Sequence, residues 1–276
     1  MPELPEVEVV RRGLLNHLPG RTIVSCSNDG KPLRKPVPQS AMERLLPGTC
    51  ITDVTRRAKY VVIHLDTGSM LVIHLGMTGQ LGLHDRSAPR TTHDHVWWRL
   101  DDGLELRLND TRRFGMIAMA GPGDAGNLEQ TVFKTCGPEP LADSFDGGYL
   151  YEKASGRGVS VKSFIMDSRT VVGIGNIYAN ESLFAAGIRP DRKAGAISRK
   201  RYDRLAVEIK KVLEHAIECG GSTISDFIGA SGESGYFQVH FRVYGRTGEP
   251  CPTCGTKLSH KVIGGRASFF CAKCQR

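Results

Sequence analysis

No apolar run in these 276 residues is long enough to span a bilayer. The first twelve residues, Met1 to Arg12, alternate proline, glutamate and valine and lack the apolar centre of a signal peptide. Internal repeats and low-complexity tails are missing too. These absences argue against a membrane-spanning or exported protein, and the expectation is a soluble protein of a reducing compartment. Excess charge is absent from most of the chain: residues 1–188 hold 21 basic and 21 acidic side chains. Residues 189–276 hold 16 and 8, so the whole formal charge of +8 sits in the last third. Such a segment is either a solvated basic face or the footprint of a polyanion, most often nucleic acid. With 40% hydrophobic residues an ordinary core is available, and the length suits two domains or one large domain plus a small module.

Eight cysteines are present. Cys26, Cys50, Cys136 and Cys219 are scattered and read as small apolar packing residues. Cys251, Cys254, Cys271 and Cys274 form two C-x2-C pairs separated by 16 residues. Thiolates two residues apart turn their sulfurs to one side of a tight knuckle, and two knuckles complete a tetrahedron around zinc. Gly255 follows the first pair, where a knuckle often needs positive φ. Two disulfides would use the same residues, but nothing points to secretion. With four sulfur ligands no position is open to water. One structural Zn2+ is therefore expected, supplying folding energy on the order of 10 kcal/mol. Between the pairs, residues 257–263 and 266–270 flank Gly264-Gly265 and predict a hairpin, with Arg266 just after its turn.

Elsewhere, residues 5–18 predict a helix with Val7, Val10, Leu14 and Leu18 on one face. Residues 51–119 predict strands. Tyr60–Leu65 and Met70–Leu75 flank an Asp-Thr-Gly-Ser turn, Val96–Leu100 and Leu104–Leu108 flank Asp-Asp-Gly, and Phe114–Met119 follows as a further strand. The pattern suggests a β-sandwich with the first helix against it. Residues 121–127 read as a glycine-rich loop. From about 160 the chain turns helical, with a stripe from Tyr202 to Ile217 and Ser198 as its N-cap. Gly220–Gly235 reads as a mobile, glycine-rich loop. The boundary therefore falls near 130–150, an all-β half preceding a helical, basic half that ends in zinc, within an α+β, multidomain fold class.

Several segments carry chemistry. Proline after the initiator permits removal of Met1, which would leave Pro2 with a free secondary amine. That amine can attack an electrophilic carbon and form an iminium, with Glu3 beside it to shuttle protons. The plainer reading is a proline that sets the helix entry. Arg56-Arg57-Ala58-Lys59 precedes a strand as a phosphate-facing cluster or a charged strand edge. His74–Gly79 and Asp110–Gly115 are glycine-bearing loops. Met77 and Phe114 are either core residues or wedges that fill a gap in a base stack. Val172–Tyr178 is not a dinucleotide fingerprint, because the third glycine is missing, yet its glycine turn into a helix exposes N–H groups to a phosphate.

Taken together, PELPEVE, RRAKY, HLGMTG, HDHV, RRFG, VVGIGNIYANESLF, GYF, VYGR and C-x2-C…RASFFC-x2-C resemble, in order and over essentially the whole chain, the bacterial formamidopyrimidine-DNA glycosylases. The resemblance implies an N-terminal catalytic β-sandwich with its flanking helix, a helix–two-turn–helix domain and a β-hairpin zinc finger. It implies a bifunctional base-excision repair enzyme acting on double-stranded DNA that contains oxidised purines or abasic sites, with no membrane association, monomeric and cytoplasmic. Pro2 resembles the family's nucleophile, Glu3 its acid, Lys59 its general acid/base and phosphate ligand, and Arg266 the zinc-finger arginine assigned to δ-elimination. His93, Arg112 and Arg157 fall at DNA-contact positions. Met77, Arg112 and Phe114 look like the trio that fills the hole left by a flipped base, and Asn176 matches a backbone-binding asparagine. Two departures stand out. Thr111 occupies a position where the family often has proline, and Ser155-Gly156-Arg157-Gly158 a stretch where it often has lysines. The related endonuclease VIII usually opens PEGPE, so Leu4 argues against it. A non-catalytic zinc-dependent DNA-binding protein would leave Pro2 and Glu3 unexplained.

Overall fold

The computed structural model describes residues 2–220 and 241–276, apart from the side chains of 125–127. The segment predicted as the 220–235 loop lies, beyond Gly220, outside the described residues. The described chain divides into two compact units, one of residues 2–134 with 219–220, the other of 135–218 and 241–276. No helix among the described residues is long and apolar enough to cross a membrane.

The first unit opens with helix α1 (Leu4–Leu15). Pro5 sits in its first turn, where its missing N–H costs no hydrogen bond, and Val7, Val10 and Leu14 are fully buried. Each such side chain contributes roughly 1.5–3 kcal/mol by leaving water. The helix is shorter than the predicted 5–18: Leu18 is buried, but from a turn, its N–H bonded to the Leu14 carbonyl.

Eight antiparallel strands follow, with the short helix α2 (Gln39–Leu45) between the first two: β1 (Thr22–Asn28), β2 (Thr49–Arg57), β3 (Tyr60–Leu65), β4 (Met70–His74), β5 (Gly79–Asp85), β6 (Asp94–Leu100), β7 (Leu104–Asp110) and β8 (Met116–Ala120). Their order is β5-β7-β6-β1-β2-β3-β4-β8. Strands β1 and β2 join through only two residue pairs, Thr22↔Cys50 and Ile23↔Thr49. That narrow seam separates two four-stranded halves. Both send side chains into one continuous core, Val61, Ile63 and Leu71 from one half and Val96, Trp98 and Leu108 from the other. This is the sandwich arrangement, with α1 contributing to the same core. Cys26 is part of it, whereas Cys50, Cys136 and Cys219 are only half-buried.

Three local readings change. Phe114 lies before β8, in a loop and 44% exposed, because the chain must turn at Asp110–Gly115 before it can pair with β4. Residues 121–124 form a turn, but α3 (Ala125–Thr131) follows it instead of more loop. Strand β1, which has a mixed burial pattern and no clean alternation, was not visible in the sequence.

The second unit contains α4 (Gly147–Ala154), α5 (Val161–Met166), α6 (Asn176–Ala186) and α7 (Arg199–Glu218), so helix begins earlier than 160. Ser198 precedes α7 and its carbonyl accepts from Arg201 and Tyr202, as an N-cap residue's does. The unit ends in the hairpin β9 (Ser259–Ile263) and β10 (Arg266–Phe270), turning at Gly264-Gly265 as the spacing predicts.

Candidate functional site

Pro2 and Glu3 are both buried at the entrance to α1. The Glu6 carboxylate, fully buried at the third helical position, accepts the Glu3 backbone N–H at 2.8 Å. This capping contact fixes the approach of the chain to the helix. Two residues later Glu8 receives Arg11 at 2.8 Å and Arg56 at 3.2 Å. Burial works to raise the Glu8 pKa, but Arg11, Arg12 and Arg56 outweigh it and hold the carboxyl below the usual range. Arg56 in turn donates to the Ala58 carbonyl at 2.9 Å. Helix α1 is thereby tied to the β2–β3 turn, where Ala58 takes φ of 54° and Lys59 follows it. Across the turn, the His74 ring stands edge-on to Tyr60 at 4.7 Å. Burial, then the charges of Lys59 and Arg34, push the His74 pKa down to about 4. His74 is therefore neutral at pH 7, and its Nδ1 accepts the Gly76 N–H at 2.9 Å.

Met77 and the Arg112–Phe114 pair lie on two loops that the fold brings together. A Cβ on Gly76 would sit 2.4 Å from the Phe114 carbonyl carbon, and Gly76 has φ of 65°, so only glycine permits this approach. The Arg112 guanidinium lies over the Phe114 ring at 4.8 Å, and both side chains are exposed. Asp110 is fully buried beneath them. Its Oδ1 accepts the Thr78 hydroxyl at 2.6 Å and its Oδ2 the Gly115 N–H at 2.6 Å. Half-buried His93 precedes β6, and its carbonyl accepts the Asp110 N–H at 2.9 Å.

In the second unit, Asn176 begins α6 behind the N-cap Gly175. Its Oδ1 is buried without a hydrogen-bond partner among the described residues. Arg157 is exposed in the loop after α4. Hydrogen bonding from Arg169, with a smaller contribution from the charge of Arg157, holds the Asp167 pKa low.

Arg266 is exposed at the first position of β10. Three buried side chains from α5 and α6 hold its strand and the approach to it. Lys162 donates to the Ala267 carbonyl at 2.6 Å and to the Ser268 hydroxyl at 2.7 Å. Asn180 Oδ1 accepts the Phe269 N–H at 2.8 Å. Glu181 accepts the N–H groups of Arg242, Val243 and Tyr244, all at 2.8–2.9 Å. Burial pushes its pKa up despite those bonds. The turn itself passes close to α5, since a Cβ on Gly264 would meet Ser163 Oγ at 2.8 Å.

The four C-terminal cysteines converge, with one ligand atom from each, all within 4.8 Å of one another. Cys251 and Cys274 sulfurs are 3.9 Å apart, Cys254 and Cys271 sulfurs 3.5 Å. A tetrahedral zinc with Zn–S bonds of about 2.3 Å requires sulfurs about 3.8 Å apart, so the cluster fits the ion. Gly255 has φ of 73°, as the knuckle requires. Hydrogen bonds from Thr256 draw the Cys254 thiol down to about 6, whereas its hydrogen-bonding neighbour Cys254, and burial, push Cys274 up to about 12. One thiolate opposes the next, and a divalent cation removes that opposition. Cys251, Cys254, Cys271 and Cys274 hold one structural zinc.

Sequence reading named Pro2, Glu3, Lys59, Met77, His93, Arg112, Phe114, Arg157, Asn176 and Arg266, but not the residues that position them. Thr78 and Asp110 stood inside quoted motifs without a role. Glu6 with Glu3 and Glu8 with Arg11 are pairs at helical spacing, a local signal that the capping pattern and the i,i+3 rule could have supplied. Arg56, read as part of a phosphate-facing cluster or a charged strand edge, instead pairs with Glu8. Lys162, Asn180 and Glu181 act through partners distant in sequence, for which local patterns carry no signal.

Comparison with known proteins places three family models along the chain. Residues 1–117 match the formamidopyrimidine-DNA glycosylase N-terminal domain, 136–228 the formamidopyrimidine-DNA glycosylase H2TH domain, and 248–276 the zinc finger found in FPG and IleRS. The chain is 52% identical to a formamidopyrimidine-DNA glycosylase of Pseudomonas entomophila and 51% to one of Stenotrophomonas maltophilia, each over 276 residues and 100% of both chains. Among solved structures it is similar to Lactococcus lactis Fpg in complex with DNA containing an abasic site, at 32% identity, TM-score 0.90 and 99% of both chains. The same similarity, 32% with TM-score 0.91 over 100% of both chains, links it to that protein bound to DNA containing N7-benzyl-Fapy-dG. A further Lactococcus lactis complex, 32% identical with TM-score 0.90 over 100% of both chains, contains DNA with an oxidised pyrimidine.

Proposed function

The chain belongs to the formamidopyrimidine-DNA glycosylase family, and from that premise we infer that it excises oxidised purines, 8-oxoguanine and formamidopyrimidines, from double-stranded DNA and then cleaves the abasic strand. The observation that carries the reading is the exposed pair Arg112 and Phe114, stacked on each other and locked to the Met77 loop. An aromatic side chain held in solvent on a braced loop suits insertion into a base stack and is poorly explained as core.

A base inside a duplex is out of reach, and flipping it out costs a few kcal/mol. Met77, Arg112 and Phe114 fill the space it leaves. With Met1 removed, the Pro2 nitrogen attacks C1′ and the glycosidic bond breaks. The base departs with a proton, and Glu3 assists base loss and opening of the sugar ring. The resulting iminium acidifies the C2′ proton. Loss of that proton expels the 3′ phosphate by β-elimination, and δ-elimination then releases the 5′ phosphate. Lys59 serves as general acid/base and phosphate ligand, and Arg266 holds a phosphate through the δ step. His93, Arg157 and Asn176 hold the DNA backbone. Zinc stabilises the hairpin that presents Arg266.

In this reading residues 1–135 are the catalytic domain, 136–240 the helix–two-turn–helix domain and 241–276 the zinc finger. The protein acts as a monomer in the cytoplasm, at the nucleoid. The test is borohydride trapping on duplexes with 8-oxoguanine opposite cytosine or thymine glycol opposite adenine. A covalent adduct formed preferentially with 8-oxoguanine, and lost in Pro2→Gly, is expected. Preference for thymine glycol would reassign the substrate to oxidised pyrimidines. Tight binding without an adduct on either duplex, with Met1 shown to be absent, would exclude the enzyme.

A further inference from the structure

We propose that Thr78 and Asp110 are positioning residues that fuse the Met77 loop and the Arg112–Phe114 loop into one rigid wedge. The proposal rests on the reading that Met77, Arg112 and Phe114 enter the base stack. Asp110 ends β7 and is fully buried, and each carboxylate oxygen has a different partner. Oδ2 takes the Gly115 N–H at 2.6 Å, closing its own loop across five residues. Oδ1 takes the Thr78 hydroxyl at 2.6 Å, reaching the other loop across 32 residues. The same Thr78 oxygen accepts the Arg112 N–H at 3.0 Å. A chain of hydrogen bonds thus runs from Asp110 through Thr78 to the backbone of Arg112, next in sequence to Thr78 being Met77. The Asp110 backbone is held as well: its N–H by the His93 carbonyl at 2.9 Å, and its carbonyl by Arg113 N–H at 3.0 Å and by a His95 ring nitrogen at 3.1 Å.

The physical reason for such a brace is the work the loops must do. Arg112, Arg113 and Phe114 are exposed, Arg113 takes φ of 54°, and no core packing holds their side chains. A wedge that entered the stack from a mobile loop would lose binding energy to ordering the loop. A buried carboxylate with charge-assisted bonds to both loops orders them beforehand. Thr111, where the family often has proline, leaves that work to the hydrogen bonds.

The experiment compares two substrates under single-turnover conditions. One is a duplex with 8-oxoguanine opposite cytosine, which must be opened and filled. The other is a single-stranded abasic oligonucleotide, which has no stack to enter. Thr78→Val, which deletes one hydroxyl at a half-buried site, should slow excision from the duplex about tenfold, the size expected for loss of one charged hydrogen bond. Cleavage of the abasic single strand should change by less than about threefold, because chemistry is untouched. Thr78→Ser should restore the duplex rate, and Asp110→Asn should repeat the Thr78→Val pattern if it folds. Equal loss on both substrates in Thr78→Val, or no loss on the duplex while Phe114→Ala is slowed, overturns the brace. If Phe114→Ala itself leaves the duplex rate unchanged, the wedge reading has failed and the brace falls with it.

Discussion

The backbone N–H of Glu3 is donated to the Glu6 carboxylate at 2.8 Å, three residues along and out of solvent. A buried donor that loses its partner costs about 1–3 kcal/mol. Glu6→Ala should therefore lower stability by about that amount in urea denaturation. It should also reduce the borohydride adduct more than Glu6→Gln does, since Gln keeps an acceptor. Equal behaviour of the two variants would mean that the contact does not hold the start of α1.

His74 makes stability depend on pH. Its folded pKa of about 4 lies below the unfolded value, which is about 6.5. The unfolded chain therefore binds a proton first as pH falls. Stability from this site is complete above about pH 6.5 and is lost progressively towards pH 4, by roughly 3 kcal/mol at most. His74→Asn removes the titrating ring, so its stability should fall less than that of the wild type across this window. Parallel curves from urea titrations at several pH values would refute the assignment.

Zinc removal has a defined signature. Dialysis against a strong chelator should release one zinc per chain and lower the melting temperature, and added zinc should reverse the change. Chelation that extracts the metal without altering the melting curve would contradict a structural ion.

Arg266 presents its charge from a strand held by Lys162 and Asn180, so its side chain can be removed without dismantling the strand. Arg266→Ala should weaken binding to lesion-containing duplex roughly tenfold and impair strand cleavage. The slope of log affinity against log salt should drop by about one, as expected for one lost phosphate contact. Zinc content should be unchanged, and loss of zinc in this variant would mark Arg266 as a structural residue.

What the sequence determined by itself was local. The zinc ligands were legible because two C-x2-C knuckles are short-range devices whose donors need only meet once. The hairpins at 66–69, 101–103 and 264–265 were legible because turn residues act on their immediate neighbours. Pro2, Glu3, Lys59, Met77 and Phe114 could be named from their chemistry, each beside a plainer reading, and only the resemblance to a family chose between the readings, since a single proline or lysine carries no periodic signal. The tertiary structure decided the rest. It lifted Phe114 off the strand where its apolar character had placed it and left it in solvent. It joined Thr78 to Asp110 over 32 residues, Phe269 to Asn180 over 89, and Lys162 to Ala267 over 105. Such pairs depend on strand order and helix docking, and on burial strengthening a hydrogen bond that water would otherwise contest.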